Sequence, residues 1–257
     1  MSQFFHIHPE NPQLRLIKQA VQIIQSGGVV ALPTDSCYAL VCQLDDKGAV
    51  ERLRRIRGVD EKHHLTLLCR DLSELGVYAR VDNRQFRLLK AATPGAYTFI
   101  LEATKEVPRR LSHPSRKTIG LRVPQHRIVQ CLLEELGQPL LGATLTLPGD
   151  EDSLTDADTI RERLEKLVDL IIDGGVCAHG PSTVIDLTGP SRKWCAWDAA
   201  TRPCWVCKSM RQTSMACPNL PNVARPDKTA ASASDDAQQV LTAAFNCRLR
   251  KPSARLW

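Results

Sequence analysis

Residues 1–188 alternate between short apolar runs and longer segments with helical periodicity. The runs at 29–32 and 65–69 are mostly apolar and short enough for buried strands, whereas 46–57 repeats apolar residues every three to four positions. Buried strands that alternate with one-sided helices pack as helices against a largely buried sheet. The pattern therefore predicts an α/β fold.

The same reasoning predicts the elements along these residues. A helix follows Asn11-Pro12 and ends at Gly27-Gly28, and its apolar stripe starts at Leu14. Further helices are predicted near 46–57, 71–78, 83–92, 128–136 and 155–167. Strands are predicted at 29–32, 65–69, 97–102, 118–123, 140–145, 168–172 and 182–187. No segment resembles an interdomain linker, so residues 1–188 are predicted to form one domain.

Charge is divided unequally between two parts of the chain. The tail, residues 189–257, holds 11 of the 34 Lys and Arg residues but only 4 of the 28 acidic ones, which gives it a net charge of +7. The body, residues 1–188, is left at −1. Overall basicity therefore does not indicate a nucleic-acid partner for the body, and only local basic clusters can.

Targeting and membrane signals are absent from the sequence. No stretch approaches the roughly 20 apolar residues that span a bilayer, and the N-terminus lacks the features of a secretory signal. We therefore expect a soluble, cytoplasmic protein without a membrane partner. The cysteines among apolar segments, Cys37, Cys42, Cys69, Cys131 and Cys177, are accordingly predicted to be reduced core thiols.

Five short segments, taken in chain order, carry a family resemblance. They are 33–40 (PTDSCYAL), 55–58 (RIRG) with 66–68 (TLL), 93–98 (TPGAYT), 120–124 (GLRVP) and 181–187 (PSTVIDL). Together they make the body resemble the YrdC/YciO family, with the YciO branch as the nearest match. The resemblance implies a single YrdC-like domain with a twisted, mixed open sheet and flanking helices.

The family includes threonylcarbamoyl-AMP synthases, and the resemblance implies their reaction. L-threonine and bicarbonate give a carbamate that attacks the α-phosphate of ATP and releases pyrophosphate, and the product serves the threonylcarbamoyladenosine modification of tRNA. Such chemistry depends mainly on orientation and on neutralisation of phosphate charge. The implied substrates are ATP with Mg²⁺, L-threonine and bicarbonate, and no tightly bound cofactor is expected.

Three arginines are the main candidates for phosphate contacts. From spacing alone, Arg55 and Arg57 at a helix end fit a solvated charged face. The resemblance places both on the family's basic-x-Arg pair, which implies a catalytic role and triphosphate binding. Arg122 lies among apolar residues and would be costly to bury without an anionic partner. That partner could be a structural carboxylate or, as the family implies, a phosphate.

Hydroxyl-bearing residues complete the site that the resemblance implies. The residues implied to contact threonine are Thr34, Tyr38 and Thr66, and Thr34 is also counted as catalytic. Those implied to contact ATP or its phosphates, beside the arginines, are Thr144, Ser182 and Thr183. On the sequence pattern alone, these residues would be ordinary strand ends.

The segment 142–149 departs from the family pattern. Synthases typically carry Ser-Thr-Ser-Ala-Asn where this chain has Gly-Ala-Thr-Leu-Thr, so Thr144 keeps a hydroxyl whereas Thr146 replaces the Asn. This departure leaves a second function open, a catalytically weak or inactive YciO-like protein that binds double-stranded RNA or tRNA. Such binding is directed by shape and phosphate contacts. The candidate RNA-binding residues are Arg52, Arg109, Arg110 and Lys117.

Two histidine pairs raise the question of a metal site. His63-His64 and His6-x-His8 have no cysteine or carboxylate at metal-site spacing beside them. We interpret them as ordinary surface histidines, and we predict no metal site.

The tail has the composition of a foreign segment. It holds all four tryptophans and lacks Glu, Ile, His and Tyr, and its cysteines are spaced too irregularly to favour zinc. Family members follow the segment at 182–187 with Val-Val-Arg-x-Gly-x-Gly, and back-translation of 193–200 one base out of frame gives Val-Val-Arg-Val-Gly-Cys-Gly. We therefore predict that a frameshift after Leu187 replaced the family's C-terminal segment and that residues 189–257 are disordered.

Overall fold

A computed structural model of the chain describes residues 2–60, 63–108, 111, 117–177, 180 and 182–188, together with the backbone of 193–196. The helices within these residues are α1 (Leu14–Gln25), α2 (Lys47–Arg57), α3 (Leu72–Tyr78), α4 (Asn83–Ala92), α5 (Arg127–Leu136) and α6 (Ala157–Leu164). The strands are β1 (Gln3–His6), β2 (Val30–Leu32), β3 (Ala39–Gln43), β4 (Thr66–Leu68), β5 (Ala79–Arg80), β6 (Tyr97–Ala103), β7 (Thr118–Arg122), β8 (Leu140–Thr144), β9 (Leu170–Asp173), β10 (Thr183–Asp186) and β11 (Lys193–Ala196).

The strands form one mixed sheet. Ten of the described strands follow the order β1-β9-β2-β3-β8-β4-β7-β6-β10-β11, and β5 pairs with β6 beside this path. Parallel pairs such as β4 with β7 occur together with antiparallel pairs such as β3 with β8. The path runs from β1 to β11 without closing into a barrel. The predicted α/β fold with a twisted, mixed open sheet and flanking helices is therefore confirmed.

Aspartates cap the starts of α2 and α4. Asp46 precedes α2 and accepts a hydrogen bond from the backbone N–H of Ala49. Asp82 forms a capping box with Gln85 at the start of α4. The cap of α2 matters most for the site, because this helix ends at the buried Arg57.

One face of the sheet carries the larger part of the hydrophobic core. Leu40, Leu67, Leu121 and Leu141 project from four neighbouring strands into this core. The buried sides of α2, α3, α4 and α6 pack against them. Because side chains alternate between the faces of a strand, the residues next to these leucines point to the opposite face.

The opposite face is only partly covered by helices. α1 and α5 cover the strands around β2 and β9, and the buried stripe of α1 begins at Ile17. Leu14, which the sequence analysis placed at the start of that stripe, is 58% exposed. The rest of this face, over β8, β4, β7, β6 and β10, carries mainly small and polar residues and forms the floor of a cavity.

The cysteines predicted to be core thiols all lie among the described residues. Cys37, Cys42, Cys69 and Cys177 are buried free cysteines, and Cys131 is a half-buried one. None of the described helices has the length and apolar character needed to cross a membrane.

Candidate functional site

The cavity lies on the part of the sheet face that α1 and α5 leave open. Its floor comes from alternate residues of neighbouring strands, and the register places Thr66 between Gly142 and Gly120. The residues that line the cavity are Thr34, Ala39, Arg57, His63, His64, Thr66, Leu68, Thr98, Ile100, Gly120, Arg122, Gly142, Ala143, Thr144, Thr146, Ser153, Ser182 and Val184. Most of the predicted site residues are therefore brought together in one place.

Two glycines keep the floor of the cavity low. A Cβ atom added at Gly142 would lie 3.1 Å from the carbonyl oxygen of Leu40, and one added at Gly120 would lie 3.0 Å from the hydroxyl of Thr66. Both distances are shorter than ordinary van der Waals contacts, so a side chain at either position would displace its neighbours. A ligand can therefore approach the sheet backbone closely at these positions.

Arg57 brings a buried positive charge to the cavity. It is the last residue of α2, and Gly58 ends the helix in the left-handed conformation with φ of 63°. Arg57 is 4% exposed, and its Nε and Nη1 atoms have no hydrogen-bond partner among the described residues. Burial lowers the pKa of Arg57 to about 10, so the guanidinium is still charged at neutral pH. A buried cation with unused donors indicates a site for an anion.

Arg122, at the end of β7, is held by a carboxylate. Its Nη2 atom donates a hydrogen bond to Oδ1 of Asp35, and the two side chains are 6% and 12% exposed. The structural carboxylate, one of the two partners that the sequence left open for Arg122, is therefore present. The Nε atom of Arg122 is buried without a hydrogen-bond partner among the described residues. Arg122 thus brings a second buried guanidinium group with an unused donor to the cavity.

Hydroxyl groups form much of the remaining wall. Thr34 and Ser182 are buried, and the hydroxyl of Ser182 lies 3.0 Å from that of Thr98. The hydroxyl of Thr34 donates a 2.6 Å hydrogen bond to the carbonyl oxygen of Cys37, and this bond also stabilises the turn that contains Thr34. Thr66 and Thr144 line the cavity as well. These groups offer neutral donors and acceptors around the two guanidinium groups.

Two predicted residues point away from the cavity lining. Arg55 is exposed on α2, because residues two positions apart on a helix differ in direction by about 200°. Thr183 lies between Ser182 and Val184, and the alternation of side chains along β10 turns it to the other face of the sheet. The contacts of Arg55 and Thr183 with ATP stay predictions. The positions of the two side chains outside the cavity lining do not favour such contacts.

Tyr38, which the resemblance implies as a threonine contact, is a core residue. Its side chain is fully buried, and its hydroxyl donates a 2.9 Å hydrogen bond to the carbonyl oxygen of Gly175. Burial raises the pKa of Tyr38 above its ordinary value. The hydroxyl is therefore engaged by the backbone, and Tyr38 is not among the residues that line the cavity.

His63 and His64 line the cavity, which the sequence analysis missed when it interpreted them as surface histidines. Nε2 of His64 lies 2.9 Å from the hydroxyl of Thr118. Burial and the positive charge of Arg57 lower the pKa of His63 to about 4, so its imidazole is neutral at neutral pH. Their location just before the predicted strand of Thr66 was the available signal. Among the described residues, no group of three or more His, Cys, Asp or Glu side chains could hold a metal ion.

The predicted RNA-binding residues do not form one described surface. Arg52 is engaged structurally, since its Nη1 atom lies 2.7 Å from Oδ2 of Asp169 and its Nε atom donates to the carbonyl of Leu167. Lys117 is exposed. Arg109 and Arg110 lie outside the described residues. RNA binding therefore stays a prediction.

Comparison with known proteins decides the family to which this fold and cavity belong. The Sua5/YciO/YrdC family model, described as telomere recombination, matches residues 22–196. The chain belongs to the Sua5/YciO/YrdC family. The resemblance inferred from the five short segments is thereby confirmed.

Relatives within the Sua5/YciO/YrdC family include proteins of two kinds. The uncharacterized protein YciO of Escherichia coli is 60% identical over 188 residues, which cover 73% of this chain and 91% of that protein. The crystal structure of E. coli YciO superposes with a TM-score of 0.75 at 56% identity and covers 78% of this chain and 98% of that one. The threonylcarbamoyl-AMP synthase of Bos taurus is 30% identical over 183 residues, 68% of this chain and 65% of the synthase. The crystal structure of P. abyssi Sua5 complexed with L-threonine superposes with a TM-score of 0.70 at 28% identity and covers 75% and 56% of the two chains.

Proposed function

We propose that this protein binds ATP and L-threonine in the cavity and forms L-threonylcarbamoyladenylate from ATP, L-threonine and bicarbonate. The observation that carries the proposal is the pair of buried guanidinium groups, Arg57 and Arg122, that line one cavity with donors unused among the described residues. A triphosphate presents several anionic oxygens in one ligand, which suits two arginines. The similarity to a threonylcarbamoyl-AMP synthase and to Sua5 complexed with L-threonine supports the same substrates.

The proposed chemistry requires no nucleophilic side chain. An oxygen of the threonine carbamate forms a bond to the α-phosphorus of ATP. The bond between the α-phosphorus and the oxygen that bridges it to the β-phosphorus breaks, and pyrophosphate leaves with that oxygen. Arg57 and Arg122 would neutralise charge on the phosphate oxygens, while the hydroxyls of Thr34, Thr144 and Ser182 would orient the reactants. Mg²⁺ would enter with ATP as part of the substrate. The product would supply the threonylcarbamoyladenosine modification of tRNA that the family resemblance implies.

Release of pyrophosphate tests the proposal. The full chain is incubated with Mg²⁺ and ATP, and pyrophosphate is measured with and without L-threonine and bicarbonate. We expect release that requires both, together with threonylcarbamoyl-AMP detected by mass spectrometry. Absence of release, or release that is independent of threonine, would contradict the proposed function.

Substitutions of arginine link that activity to the cavity. Arg57→Ala should lower kcat/KM by about 100-fold or more, since loss of one donor to developing charge commonly has an effect of this size. Arg15→Ala, which removes an exposed positive charge from α1, is the matched control and should have little effect. Arg55→Ala decides the sequence prediction for that residue: its exposed position favours a small loss, whereas a triphosphate contact requires a large one.

A further inference from the structure

The ion pair between Asp35 and Arg122 uses only part of its hydrogen-bonding capacity. Arginine and carboxylate groups often pair through two parallel hydrogen bonds. Here Nη2 of Arg122 bonds to Oδ1 of Asp35, whereas Nε of Arg122 and Oδ2 of Asp35 are buried without partners among the described residues. A buried pair with unsatisfied atoms is costly for folding. The hydrogen bond to Asp35 therefore holds Arg122 without using all of its donors.

Asp35 holds Arg122 from outside the cavity lining. Arg122 lines the cavity and Asp35 does not. Asp35 follows Thr34 in the turn after β2, and this turn is tied together by a 3.2 Å hydrogen bond from the backbone N–H of Ser36 to the hydroxyl of Thr34. The carboxylate of Asp35 is thus carried by a turn with a fixed conformation. Its hydrogen bond to Arg122 can therefore hold the guanidinium group in one position.

We propose that Asp35 is a positioning residue of the anion site, which holds Arg122 through Nη2 so that the guanidinium group is already fixed at the cavity wall when the ligand arrives. Asp35 then acts on the ligand only through Arg122. The free arginine side chain has many rotamers, and a single charged hydrogen bond from a fixed turn removes most of that freedom before the ligand arrives. This inference rests on the anion-binding part of the proposed function and not on catalysis.

Binding of inorganic pyrophosphate, measured by calorimetry on the full chain, tests the inference. Asp35→Asn and Asp35→Ala both remove the negative charge, but only Asn keeps an oxygen that can accept from Nη2. The difference between these two variants therefore isolates the hydrogen bond to Arg122. We expect Ala to bind pyrophosphate about tenfold more weakly than Asn, because binding must then also immobilise an arginine side chain that position 35 no longer holds. Equal affinities would overturn the inference.

Variants that also lack Arg122 show whether position 35 affects pyrophosphate binding through Arg122. In chains that also carry Arg122→Met, the Asn and Ala variants at position 35 should bind pyrophosphate equally, and a persisting difference overturns the inference. Asp35→Ala alone leaves a buried guanidinium unpaired and could fail to fold. The double variants lack both charges and avoid that penalty, so a difference in pyrophosphate affinity between them can still overturn the inference. All these chains share the same basic tail, which therefore does not enter the comparison.

The Arg52–Asp169 ion pair is a matched control outside the cavity lining. Asn and Ala at position 169 should bind pyrophosphate alike. The two proposals can also fail separately. A wild-type chain that binds pyrophosphate but does not release it from ATP contradicts the proposed function and leaves the role of Asp35 standing. A wild-type chain that does not bind pyrophosphate overturns the role of Asp35.

Discussion

Arg57 and His63 share one environment but differ in charge at neutral pH. Burial lowers the pKa of both, to about 10 for Arg57 and to about 4 for His63. The arginine therefore keeps its proton, whereas the histidine has lost it. At the scale of single residues, the positive charge of the cavity is thus supplied by the guanidinium groups of Arg57 and Arg122, and His63 contributes a neutral ring.

The low pKa of His63 predicts a pH-dependent stability. Its pKa is about 4 in the folded protein and has an ordinary value of 6.5, so between these values the unfolded chain binds more protons. The free energy of unfolding should therefore fall as the pH is lowered from 6.5 to 4. His63→Gln should reduce this loss, as measured by urea unfolding at several pH values. Burial also lowers the pKa of His126, so part of the slope should remain, and an unreduced slope would contradict the prediction.

At the scale of elements, the end of α2 determines where Arg57 lies. Gly58 adopts a left-handed conformation, and a Cβ atom at this position would lie 2.6 Å from Cγ of Pro148. Pro148 belongs to the segment after β8, which also carries the cavity residue Thr146. Contact between the helix end and this segment therefore couples the position of Arg57 to that of Thr146 in the cavity lining.

Gly58→Ala should damage both stability and binding. We expect the free energy of unfolding to fall by about 1–3 kcal/mol from backbone strain, with an additional loss from the contact with Pro148. Gly137→Ala is the matched control, since Gly137 ends α5 with φ of 71° and has no neighbour within 4 Å of an added Cβ. Urea unfolding and pyrophosphate titration compare the two. Equal losses of stability with equal pyrophosphate affinities would show that the Pro148 contact has no role.

Much of the element order could be predicted, because apolar periodicity reports directly on burial. β5 has only two residues, and β1 is a half-buried strand without the apolar run that marked β2, so neither was assigned from the sequence. β3 overlaps the motif at 33–40, which was interpreted for its ligand contacts and not as a strand.

The membership of the site was harder to predict than the fold. A short motif identifies a segment but not which of its side chains faces the cavity, and so Thr183 was grouped with Ser182 and Arg55 with Arg57. Asp35 was not singled out at all. Its contact with Arg122 joins residues 87 positions apart, and only the tertiary structure brings them together.

At the scale of the whole molecule, four residues of the tail take part in the sheet. β11 runs antiparallel to β10, with Cys195 opposite Val184, and the family match ends at residue 196. These are the residues at which the shifted frame gives Val-Val-Arg. The prediction of disorder therefore does not describe the backbone of 193–196, and the remaining residues of the tail lie outside the described part of the chain.

The frameshift prediction can be tested at the gene. Resequencing across codons 188–194 should reveal one base lost or gained relative to the YciO gene, and a frame in phase with that gene throughout would contradict the prediction. In a chain with the restored frame, β11 would carry Val-Val-Arg next to β10.

The place of β11 at the end of the sheet also determines how the tail can be shortened. β11 pairs with the outer side of β10, which is the last strand of the body. A chain that stops before Lys193 would expose the backbone N–H and C=O groups of β10 as an open edge, which other copies could extend by adding strands. Such a chain should associate into larger species in size-exclusion chromatography. Shortened forms should therefore end after Ala196, which keeps β10 paired with β11.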